Sequence, residues 1–159
     1  MRQRQQTQEL SEEDRQVVAD MIRRMSDGAK LAEVFGLDNE TMTGLEAQAY
    51  RLYRHGRFSQ AQVAGRGVLA LDADRTLTRF IMGDMALAEY RFAEAVEHLG
   101  HAFERSPEQL VIRARLGEAL LKRGDRKSAR PHLEAVVEGG DEGDDNVRRC
   151  RALLSAIDP

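Results

Sequence analysis

The chain has no tryptophan, one cysteine and three prolines in 159 residues. Each shortage excludes something. A single cysteine, Cys150, cannot build an internal disulfide framework and suits a reducing compartment. Few β-branched runs leave little material for an extended sheet. No apolar run approaches the ~20 residues of a membrane span, so direct membrane insertion is not expected. Nor does Met1-Arg2-Gln3-Arg4-Gln5-Gln6 lead into an apolar signal core. The formal net charge is only -3, from basic and acidic residues interleaved along the sequence, which argues against a nucleic-acid surface. One compact α-domain, soluble and cytoplasmic, is the expectation.

What the chain does have is an interval. Ala61, Ala95 and Ala129 lie 34 residues apart, as do Gly83 and Gly117. The slots Gly56, Tyr90 and Gly124 keep the same spacing. A fixed period of this length resembles the tetratricopeptide repeat, in which each unit is a helix–turn–helix hairpin. Phased on these markers, the units run 42–75, 76–109 and 110–143 without insertion. The eighth position is always small (Ala49, Gly83, Gly117), and the alanine series marks where two helices of one hairpin touch. His55-Gly56-Arg57 and Arg123-Gly124-Asp125 supply glycine at a helix end, whereas the middle unit reads Glu89-Tyr90-Arg91.

Two further segments flank the repeats. Residues 1–10 are polar, glutamine-rich and expected to be disordered. Residues 11–41 hold an N-terminal helix and a lead-in. Ser11 with Asp14 resembles a capping box, and Val17, Val18, Met21, Ile22 and Met25 form a one-sided apolar stripe. Residues 144–159 are expected to cap the array with a last helix, turning Val147, Cys150, Leu153, Leu154 and Ile157 inward. The fold class is therefore all-α, a short superhelix of three hairpins with helical caps.

The face expected to bind is the concave one, lined by the first helix of each hairpin. Its residues include Glu46, Tyr50 and Tyr53, then Leu77, Phe80, Asp84 and Leu87, then Glu118 and Leu121. Aromatic and aliphatic side chains on such a groove usually mark a binding site.

The segment Ala49 to Ala61 has the form A-aromatic-x-x-Y-x-x-G-[KR]-aromatic-x-x-A. It resembles the first repeat of the class II chaperones of bacterial type III secretion, the LcrH/SycD-like group. Gly28-Ala29-Lys30-Leu31-Ala32 and Leu37 to Thr41 extend the likeness upstream; Arg79 to Gly83 and Glu118 to Gly124 extend it downstream. The resemblance implies a chaperone that keeps hydrophobic translocator proteins soluble before export. An extended client segment would lie in the groove, with anchors at Tyr50, Tyr53 and Phe80 and with Leu77 and Leu87 nearby. It also implies a homodimer through the stripe of Val17 to Met25. The competing reading is a general repeat adaptor for a peptide or folded partner. A basic carboxylate clamp would favour it, yet the ninth positions hold Tyr50, Asp84 and Glu118.

An enzyme is the weakest reading. His98 and His101 stand one helical turn apart but lack the further ligands a metal needs. The carboxylates of Asp141, Glu142, Asp144 and Asp145 lack the alternation of a calcium loop. No phosphate loop or nucleophile motif is present, so no cofactor and no metal are expected.

Overall fold

A computed structural model describes residues 11–157, so the expected disorder of 1–10 lies outside the described residues. Within that range the chain is all-α: α1 (Glu12–Ser26), α2 (Leu31–Val34), α3 (Asn39–Arg54), α4 (Phe58–Leu71), α5 (Thr76–Ala88), α6 (Phe92–Arg105), α7 (Leu110–Lys122), α8 (Arg126–Gly139) and α9 (Asp145–Ile157). No helix there is long and apolar enough to cross a membrane.

Helices α3/α4, α5/α6 and α7/α8 pack as successive hairpins, and α9 closes the stack against α7 and α8. Small residues set these distances. Ala49, Ala61, Ala95 and Ala129 are fully buried. A Cβ on Gly83 would stand 2.6 Å from Leu99 Cγ, and one on Gly117 would stand 2.8 Å from Leu133 Cδ2. The eighth position is thus small because the hairpin partner's leucine fills its space.

The hairpin turns share one construction. In each, the residue after the helix cap has positive φ: Gly56 at 71°, Tyr90 at 61° and Gly124 at 97°. The next amide reaches back to a carbonyl five residues earlier, as in Arg57 N to Leu52 O, Arg91 N to Ala86 O and Asp125 N to Leu120 O. These are Schellman closures. Tyr90 adopts the glycine conformation, so the middle turn keeps its shape despite the missing glycine.

At the N-terminus, Ser11 and Asp14 form a complete capping box at the start of α1. Helix α3 begins at Asn39, three residues ahead of the phased unit, because Asp38 Oδ1 accepts from Thr41 N at 2.8 Å and caps it. The α1 helix packs chiefly on α2, with Arg24 Nη2 donating to the Glu33 carbonyl at 2.8 Å. The largest core cluster runs from α5 to α9, and two small clusters serve α2 to α5. The described chain is therefore best packed toward its C-terminal side.

Candidate peptide-binding groove

Helices α3, α5, α7 and α9 lie side by side, and polar side chains run across them in a chain of contacts. The Tyr53 hydroxyl donates to Asp84 Oδ2 at 2.5 Å. Arg115 Nε lies 2.9 Å from Asp84 Oδ1, an ion pair whose N–H points off the line to the oxygen. Arg115 Nη1 donates to Glu118 at 3.3 Å, and Arg149 Nη2 donates to Glu118 Oε1 at 2.5 Å. Four helices are thereby tied by one ladder. Burial, followed by the Asp84 hydrogen bond, pushes the Tyr53 hydroxyl far above the ordinary tyrosine value, so Tyr53 stays a neutral donor.

A second network anchors the other end of the groove. Glu46 Oε1 accepts from Thr78 N at 2.9 Å and from Thr78 Oγ1 at 3.0 Å. Lys30 Nζ sits 2.7 Å from Asp72 and 3.1 Å from Asp74, joining the lead-in to the turn between the first two hairpins. Burial alone would raise the Asp72 carboxyl, but the Lys30 hydrogen bond, the Asp74 amide and the neighbouring cations outweigh it and hold the group below the usual carboxylate range. The Asp74 carboxyl is lowered chiefly by the same ammonium.

Between these networks the surface is hollowed twice. A cleft of about 870 Å³ is lined by Glu46, Tyr50, Leu77 and Phe80, with Val111 and Ile112 from α7. A smaller pocket of about 330 Å³ lies toward the hairpin turns, lined by Tyr53, Phe58, Asp84, Met85 and Ala88. The rings of Tyr50 and Tyr53 stand 6.2 Å apart and that of Phe58 6.1 Å from Tyr53, giving a continuous aromatic strip.

The residues expected to bind are therefore divided. Leu77 is exposed and Tyr50, Tyr53 and Phe80 are half-buried, and all four line the hollows. Leu87 and Glu118 are buried, Leu121 is half-buried against the main core, and none of the three lines either hollow. Glu46, Asp84 and Glu118 spend their oxygens on Thr78, Tyr53, Arg115 and Arg149, not on open solvent. Sequence reasoning missed Phe58 and Met85 as pocket walls, and Arg115 and Arg149 as ladder rungs. A signal existed for the ladder: Tyr53, Asp84 and Arg115 are spaced by 31, as are Glu118 and Arg149. That is the repeat period less one helical turn, the offset at which neighbouring first helices touch.

Other groups have plain settings. Among the described residues, no His, Cys, Asp and Glu side chains gather in a set able to hold a metal. Instead His98 Nδ1 lies 3.2 Å from Arg79 Nη1. Burial raises the Cys150 thiol to about 11, so it stays protonated. On α1, Val17, Val18, Ile22 and Met25 are exposed and Met21 is half-buried, beside an exposed Phe35.

The hairpin stack and its grooved inner side define a tetratricopeptide-type array. The tetratricopeptide repeat family model matches residues 86–157. A curated relative, human tetratricopeptide repeat protein 34, is 31% identical over 74 residues; the match covers 46% of this chain and only 13% of that protein. Solved structures match far more of the chain, and several of them are named as type III secretion chaperones. SycD of Yersinia enterocolitica, in complex with a peptide of the translocator YopD, has a TM-score of 0.65 at 18% identity, covering 76% of this chain and 95% of that one. PcrH in complex with the chaperone binding region of PopD matches with TM-score 0.65 and 18% identity over 77% and 94%. A type III secretion complex from Aeromonas hydrophila reaches 0.71 at 16% identity over 87% and 95%. At such identities the likeness is one of fold.

Proposed function

We propose that this protein is a cytoplasmic chaperone that holds a hydrophobic translocator of a type III secretion system in its concave groove until export. The observation that carries this reading is the pair of hollows walled by the aromatic strip of Tyr50, Tyr53 and Phe58 and, in the larger cleft, by Phe80. It lies in a fold shared with chaperones solved with translocator peptides. An extended segment presents alternate side chains to such hollows, and apolar anchors supply the affinity. The ladder fixes the groove's walls beforehand, which lowers the ordering cost of binding. We also propose that α1 pairs with its copy in a second chain.

The test is co-purification with candidate translocators encoded nearby. Phe80→Ala is the cleaner probe, because Tyr53→Ala also opens the ladder. Each is expected to weaken binding by about 1–3 kcal/mol, as for an interface anchor. Unchanged client recovery with both variants would place the binding surface elsewhere.

A further inference from the structure

The charges that interleave along the sequence leave an excess of one sign at the hairpin turns. The three hairpin turns lie along one edge of the array, and positions 54–58, 88–92 and 122–127 form it. That edge carries Arg54, Arg57 and Arg91, then Lys122, Arg123, Arg126 and Lys127, against only Glu89 and Asp125 as carboxylates. Arg91 is taken up by Glu89 and Glu94, and Arg123 faces Asp125. Among the described residues, the side chains of Arg57, Lys122, Arg126 and Lys127 have no hydrogen-bond or ion-pair partner, and all four are exposed. The opposite edge, where one hairpin passes to the next, is mixed: Asp72 and Asp74 pair there with Lys30, Arg75 and Arg105, and the acidic run from Glu138 to Asp145 follows the last hairpin.

Between its two basic ends the same edge is aromatic. Tyr90 is 80% exposed, holds positive φ, and meets Phe92 edge-on at 6.0 Å. A bulky residue in the left-handed region costs about 1–2 kcal/mol, and such outliers cluster at functional sites.

We infer that the hairpin-turn edge is a second docking surface for an extended acidic segment of a partner protein; it adjoins the small pocket of the groove but rests on Arg57, Tyr90, Lys122, Arg126 and Lys127, which line neither hollow. Neighbouring first helices stand about 10 Å apart, the span of roughly three extended residues. The matching segment is therefore about seven or eight residues long, with carboxylates at both ends and an apolar residue between them. Its ends meet Arg57 on one side and Lys122, Arg126 and Lys127 on the other, and its centre meets Tyr90.

A fluorescein-labelled octapeptide, Glu-Glu-Gly-Leu-Phe-Gly-Glu-Glu, tests this by anisotropy with the full chain, beside a twin in which lysine replaces every glutamate. The acidic peptide is expected to bind and the lysine twin not. Raising salt from 50 to 300 mM should weaken binding at least about fivefold. Arg57→Glu with Arg126→Glu and Lys127→Glu should remove it, and Tyr90→Gly should weaken it about tenfold while retaining the turn. Circular dichroism and translocator binding, which use the groove, should be unchanged in these variants. Equal binding of both peptides, no loss in the charge-reversed variant, or capture of phosphatidylserine vesicles with no binding of the peptide would each overturn the proposal.

Discussion

At the level of single residues, the glycines and their one replacement can be separated by what a side chain would meet. Gly56 and Gly124 hold positive φ, and Tyr90 holds the same angle at a steric cost. Tyr90→Gly is therefore expected to raise stability by about 1 kcal/mol, read as a later denaturant midpoint with unchanged slope. Gly83 and Gly67 sit in helices with opposite surroundings. A methyl on Gly83 would strike Leu99, whereas one on Gly67 would meet nothing within 4 Å. Gly67→Ala should stabilise by up to about 1 kcal/mol through helix propensity. Gly83→Ala should destabilise by about 1–3 kcal/mol through overpacking. A Gly83 variant as stable as the wild type would mean that α5 and α6 can move apart freely. These small positions were legible because repetition exposed them. The shape of the Tyr90 turn was not, since a tyrosine gives no sign of left-handed backbone.

At the level of elements, the sequence showed which helices pair but not what joins one hairpin to the next. The 34-residue period marks equivalent positions, while contacts between neighbouring units fall at 31 or 32, as in Tyr53 with Asp84 and Glu46 with Thr78. For that reason Asp84 and Glu118 looked like groove polarity and turned out to be engaged within the chain. Glu118 is 4% exposed between Arg115 and Arg149. Glu118→Ala would leave Arg149 without its carboxylate and Arg115 with Asp84 alone, and is expected to cost about 2–4 kcal/mol, near the lower range for a buried pair because Arg149 stays half-solvated. The hairpins α5/α6 and α7/α8 also carry a pH dependence. Burial, then Arg79, lowers the His98 pKa, and burial, then Arg113, lowers that of His132. Around His98 also stand Glu94, Glu97 and His101. With folded values below the ordinary 6.5, the unfolded chain binds these protons first, so stability is full above 6.5 and falls as pH drops beneath it. Urea titrations at pH 7.5 and 5.5 should show this loss, and it should shrink in a His98→Gln, His132→Gln variant. An identical loss in that variant would place the proton uptake elsewhere.

At the level of the whole molecule, the N-terminal helix sets the question. An array must cover its first hairpin or leave it open. Two fates follow for the stripe from Val17 to Met25: folding back over the repeats, or pairing with another chain. In the structure α1 packs chiefly on α2, across a turn that holds the positive-φ Gly28, and leaves Ile22 59% exposed. A helix that buries so little of its apolar face within its own chain is unlike a settled cap, and monomers seldom leave such a patch uncovered. Identical stripes related by a two-fold axis would cover each other, the commonest oligomer geometry. One helix per chain buries modest area, so the affinity should be weak, near the micromolar range. Sedimentation at ~50 μM should then show a dimer that dissociates on dilution. Val18→Glu together with Ile22→Glu should leave a monomer with unchanged helicity, because neither side chain belongs to the core clusters. A wild-type protein that sediments as a monomer at that concentration would remove the dimer and leave the stripe of α1 to another partner.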